Sequence, residues 1–239
     1  MNDIVLPALP WGACPWWLAG ALLGLWLVPL ARIIPLKVLQ GSGVALHEWQ
    51  GPGGGLEQPV PPFRRIWVPL VNACLWGCAA NTSGHPALLA VLLGACLSTS
   101  LVLLALIDWD TTLLPDCVVL PLGMAGLAAS SAGLAPQSLP VSAASAAVVL
   151  CLLGGLSWLF RLIRGDGGIG GGDIKLLAAL AAWRGAGEVL YVLFWAGVVT
   201  VGWFLVWRRF RGLDCRADWP FGPAIAVAAL AGGLPIWGR

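Results

Sequence analysis

Asp108 and Asp173 are the residues of this chain whose type and setting suit chemistry. Asp108 lies in LALIDWDTTLLPD (104–116) and Asp173 in GGIGGGDIKLLAALAAWRG (167–185), each at the edge of a long apolar stretch. A carboxylate beside hydrocarbon is expensive, so it faces a polar cavity and marks function. Two such groups brought together share a proton. The ionised one takes a proton from water as the water attacks a carbonyl carbon. The protonated one hydrogen-bonds the carbonyl oxygen as it turns negative. Two close like charges cannot both stay ionised, and a low-dielectric wall strengthens that coupling. The chemistry would be hydrolysis of a peptide bond by a carboxylate pair, set inside a membrane.

The glycines before Asp173 have a use in that chemistry. Gly170, Gly171 and Gly172 permit backbone torsions closed to other residues and let another backbone approach closely, as an extended substrate would need. The plainer alternative is a linker ending at a helix start, with Asp173 as its N-cap. Gly165, Gly167 and Gly170 also satisfy G-x-G-x-x-G, but an apolar span precedes them where a nucleotide site needs a β-strand. Lys175 either anchors to phosphate headgroups or tunes the field near Asp173. Asp116, after Pro115, is either the N-cap of the next helix or part of the site. Asp110 follows Asp108 by two and so points away from it, which reads as a solvated loop residue.

The elements that must position these residues are membrane helices. Of 239 residues, 59% are hydrophobic and 10% charged, a composition that excludes an ordinary soluble domain. Apolar stretches fall at about 15–36, 66–80, 86–107, 117–135, 141–160, 174–184, 187–207 and 219–236. The expected fold is an all-α, polytopic membrane helix bundle of about eight transmembrane helices, with six or seven as the alternatives. The stretch 174–184 is too short to cross alone and is expected to be completed by irregular backbone lining a cavity. Residues 1–63 read as one helix with a short loop, and 64–239 as the membrane-embedded catalytic domain. The N-terminus lacks the basic start of a cleavable signal, so the first apolar segment reads as a permanent span.

Charge placement gives an orientation. With the N-terminus outside and eight crossings, eleven of the thirteen basic residues fall inside, and only Arg184 and Arg239 fall outside. Both Asp108 and Asp173 then lie at the cytoplasmic side. The Gly- and Pro-rich loop 37–65 predicts no independent domain.

The other chemistry-bearing residue types are less informative. The seven cysteines form no C-x-x-C pair and sit mostly in apolar runs, which reads as buried thiols acting as small hydrophobes. His47 and His85 are isolated. No metal site, no cofactor and no nucleic-acid partner is expected. Trp11, Trp16, Trp17, Trp67, Trp183, Trp207 and Trp219 stand near span ends and read as an interfacial belt.

LIDWDTTLLPD and GGGDIKLLAALAAWRG resemble the two signature segments of the prepilin peptidases, or type IV leader peptidases, within the Gly-X-Gly-Asp class of intramembrane aspartic proteases. Asp108 before Leu114-Pro115-Asp116 matches the first motif, and Gly170 to Leu176 matches G-X-G-D-x-K-L. Trp219-Pro220-Phe221-Gly222-Pro223 is similar to the family's late Pro-Phe-Gly-Pro element. The resemblance spans roughly residues 64–236. It implies Asp108 and Asp173 as catalytic, with Gly170, Gly171, Gly172, Lys175, Pro115 and Asp116 around the substrate. It further implies a multi-pass protein of the bacterial inner membrane that cuts the leader from type IV prepilins or type II secretion pseudopilins at the cytoplasmic face. Many members also methylate the new N-terminus and carry two C-x-x-C pairs that bind zinc. Loop 37–65 has no cysteine, so zinc is not expected and methylation is not carried over. The alternatives are a bifunctional enzyme, a proton-coupled transporter, which would favour internal repeats that this sequence lacks, and an inactive scaffold.

Overall fold

The computed structural model describes residues 14–43, 51–81, 88–165, 168–211 and 219–232. Trp11, His47, His85, Asp166, Gly167 and Cys215, and most of the turn after Asn81, lie outside the described residues. Eight helices follow in order: α1 Cys14–Ser42, α2 Arg64–Asn81, α3 Leu88–Thr111, α4 Asp116–Ser131, α5 Leu139–Arg164, α6 Gly171–Arg184, α7 Ala186–Arg211 and α8 Gly222–Ala231. No strand occurs among the described residues, and the fold is the all-α bundle that the apolar runs predict. Four helices (α1, α3, α5 and α7) are long and apolar enough to cross a membrane, so the chain is a multi-pass membrane protein.

The polarity of the bundle is that of a protein dissolved in lipid. Trp26, Phe194 and Phe210 are among many large apolar side chains left exposed on its outer surface, a pattern that water would not tolerate over such an area. The described cysteines are exposed on helix surfaces. This corrects the expectation of buried thiols: small apolar groups face lipid here as comfortably as they face the core.

α6 is the centre of the molecule. It packs chiefly against α4 and α5, and α7 also touches it. Every residue from Leu176 to Arg184 is buried. Trp183 is 1% exposed, and its indole Nε1–H donates to Leu122 O at 2.8 Å. The ring fits because Gly126 of α4 lies beneath it, where a Cβ would come within 2.7 Å of the indole. Trp183 is thus a core residue and does not belong to an interfacial belt. Arg184 is also buried and donates to Ala229 O at 2.7 Å, at the end of α8. It satisfies a helix-end carbonyl and does not stand in a loop as a free surface cation.

α3 joins this core to a second one formed with α1 and α2 from Leu27, Val28, Ala31, Val68, Val102, Leu103, Leu106 and Ile107. A buried polar chain ties the same three helices together. Asn72 Nδ2 donates to Gly20 O at 2.8 Å, Thr99 Oγ1 donates to Asn72 Oδ1 at 3.0 Å, and Trp76 Nε1 donates to Thr99 Oγ1 at 2.8 Å. Such bonds hold helices together where lipid supplies no hydrophobic drive.

Candidate active site

Three helix ends converge on the two carboxylates. Asp108 sits in the last turn of α3, Asp173 in the first turn of α6, and Gly222 opens α8. The Gly222 N–H donates to Asp108 Oδ2 at 2.8 Å. Asp108 is 4% exposed and lies within Coulombic reach of Asp173. Asp173 Oδ1 is buried and accepts no hydrogen bond. The N-termini of α6 and α8 present N–H groups that their own helices leave without a carbonyl, and the positive end of each helix dipole, and both favour anions. This placement answers a local conflict, because the C-terminal turn of α3 is the wrong end of a helix for an aspartate.

The short length of α6 sets the depth of the site. Its 14 residues rise about 21 Å, less than the ~30 Å hydrocarbon core. α8 has 10 residues and is shorter still. The bond from Gly222 to Asp108 at one end and from Arg184 to Ala229 at the other makes α6 and α8 parallel, with both N-termini at the carboxylates. The irregular segments 168–170 and 219–221 lead into them.

The glycines differ in what they face. The N-cap of α6 is Gly170, so Asp173 is not the N-cap. A Cβ at Gly170 would lie 2.9 Å from Asp173 Oδ2. A Cβ at Gly172 would lie 2.8 Å from the Cβ of Leu114, so the clearance there is taken by the chain's own loop. Gly171 faces open space. A Cβ at Gly222 would lie 2.8 Å from Asp108 Oδ2, so only glycine admits this approach. Gly222 stood in the sequence only as part of a motif, without a role. Its bond to Asp108 spans 114 positions, and no local pattern announces it.

Pro115 is the N-cap of α4, and Asp116 is its first helical residue with no side-chain capping bond. The Asp116 carboxylate instead accepts both its bonds from Lys175 Nζ, at 2.8 and 2.7 Å. The pair ties the start of α4 to the second turn of α6 and is solvent-exposed at its side chains, 52% and 43%.

Asp110 departs most from its sequence reading. It is fully buried, and Arg64 donates a two-pronged pair of bonds to it, at 2.6 and 2.8 Å. Arg32 Nε lies 3.1 Å from the same carboxylate. A solvated loop residue would have no such partners. The signal that finds it is electrostatic: a second acid at the negative end of α3 demands a countercharge.

A family model described as the type IV leader peptidase family matches residues 95–205. The prepilin leader peptidase/N-methyltransferase of Xanthomonas campestris pv. campestris is 38% identical over 143 residues, covering 60% of this chain and 49% of the relative. The protein of the same name from Stutzerimonas stutzeri is 37% identical over 142 residues, covering 59% and 48%. That of Pseudomonas aeruginosa is 37% identical over 132 residues, covering 55% and 45%. The chain therefore spans about half the length of these curated relatives. No solved structure gives a significant match. The matched stretch runs from α3 into α7 and contains both carboxylates. Over that stretch the chain is similar to the type IV leader peptidase family.

Proposed function

We propose that this protein is an intramembrane aspartic endopeptidase that removes the leader of type IV prepilins or type II secretion pseudopilins at the cytoplasmic membrane face. The observation that carries the reading is that Asp108, in the last turn of α3, and Asp173, in the first turn of α6, lie within Coulombic reach of each other at a site bordered by apolar helices. One carboxylate takes the proton of the attacking water while the other donates to the carbonyl oxygen of the scissile bond. Asp173 Oδ1 has its acceptor positions open for such a partner. The open space at Gly171 supplies a flank along which an extended backbone can lie. The names of the relatives support prepilins as the substrate class.

The deciding experiment is cleavage of a prepilin by purified protein in lipid, wild type beside Asp108→Asn and Asp173→Asn. The expected outcome is removal of the leader by wild type and none by either variant, with both variants still recovered from the membrane. Wild-type turnover in either variant removes the carboxylate-pair assignment. An inert wild type across several prepilins returns the chain to the scaffold or transporter readings.

A further inference from the structure

We propose that Arg64, Asp110 and Arg32 form a positioning device for Asp108, fixing the rotation of the last turn of α3. The assignment rests on Asp108 and Asp173 being the reacting pair. Residues two apart on a helix point about 200° away from each other. Asp110 is drawn toward α1 and α2 by Arg32 and Arg64, so Asp108 is turned to the opposite side, where Gly222 of α8 meets it. A planar guanidinium gripping both oxygens of Asp110 resists rotation as well as translation.

Three further features converge on the same turn. Arg32 Nη1 donates to Gly55 O at 2.8 Å and Gln58 O at 2.9 Å, which draws the loop after α1 over the end of α3. That loop in turn satisfies the free carbonyls of the helix end: Gly51 N–H donates to Asp110 O at 2.8 Å and Gly53 N–H to Trp109 O at 3.0 Å. Thr112, the next residue after α3, is the only described non-glycine with positive φ, at 52°. A β-branched residue is disfavoured there and persists only where its surroundings over-determine it. This turn carries the chain from Asp108 to Leu114, which seats against Gly172 beside Asp173. The loop, with no domain of its own, therefore acts as a strap on the candidate site.

The test is the kinetics of prepilin cleavage by Arg64→Lys, which keeps the charge and loses the fork. The expected result is a kcat lowered roughly ten- to a hundredfold with KM within about twofold, the mark of misplaced reacting groups in a site that still binds. A kcat that falls only in proportion to the folded fraction, read from thermal melts in detergent, overturns the proposal. If Arg64→Lys does not accumulate, Arg32→Met, Arg64→Met and Asp110→Leu together replace the ion set by apolar groups of similar volume, an exchange that buried ion sets tolerate. A folded triple variant with wild-type kcat also overturns it, and one with lowered kcat supports it. Asp108→Asn run alongside separates the two levels. Loss of cleavage there with undiminished turnover in the Arg64 variant removes only the positioning role, whereas turnover by Asp108→Asn removes the carboxylate pair itself.

Discussion

A single hydrogen atom in place of a methyl group at position 222 decides whether Asp108 can be held. The Gly222 N–H reaches Asp108 Oδ2 at 2.8 Å, and a Cβ would stand 2.8 Å from that oxygen and 3.1 Å from Asp108 Cβ and Cγ. Gly222→Ala must push α8 or Asp108 aside, and a shift near 1 Å at a reacting group lowers turnover by up to about a hundredfold. Gly197→Ala on α7 is the matched control, because a Cβ there meets nothing within 4 Å. The expected outcome is a crippled kcat for Gly222→Ala and wild-type kcat for Gly197→Ala, read in the same cleavage assay. Lys175 shows the opposite case. Its bond to Asp116 is short, but both side chains are exposed, and exposed ion pairs contribute roughly 0–1 kcal/mol. Lys175→Gln is expected to leave the thermal midpoint in detergent nearly unchanged. A large drop would show that the pair, and not the apolar contacts of α6, holds α4 and α6 together.

Those apolar contacts belong to the helix as a unit. α6 is buried on every side from Leu176 onward, and its seat on α4 is made by Gly123 opposite Ala179 and Gly126 beneath Trp183. Filling that seat with Gly126→Val forces the indole out and is expected to destabilise the fold by roughly 1–3 kcal/mol, checked by thermal unfolding in detergent beside wild type. The boundaries of such helices were legible in the sequence because apolar runs end at turn residues: Pro115 stands before α4 and Gly185 after α6. The two signature segments themselves were legible through motif order. What escaped were the fates of Asp110, Trp183 and Arg184, each read as a boundary residue and each buried. Their partners lie 46, 61 and 45 positions away, at Arg64, Leu122 and Ala229. A polar group near a helix end looks the same locally whether it meets water or a distant partner. Only packing distinguishes the two, and periodicity does not encode it.

For the whole molecule, two short parallel helices set the place of the candidate site. α6 and α8 begin at the carboxylates and end together at Arg184 and Ala229, so the site lies toward one end of the bundle. The loop 51–63 caps that end, and the turn between α4 and α5 lies at the other, where Gln137 meets Gly185. The distribution of basic residues assigns the first end to the cytoplasm, since eleven of thirteen fall on its side when every helix is counted as a crossing. This orientation is a proposal with a direct check. In a background with the seven native cysteines replaced, Glu57→Cys and Ser138→Cys each place one thiol at an exposed position, one at each end. A charged, membrane-impermeant thiol reagent added to intact spheroplasts is expected to label Ser138→Cys at once and Glu57→Cys only after permeabilisation. The reverse pattern would put the carboxylates at the outer face, where the leader of an unprocessed prepilin does not reach them. The peptidase reading would then lose its substrate even with its chemistry intact.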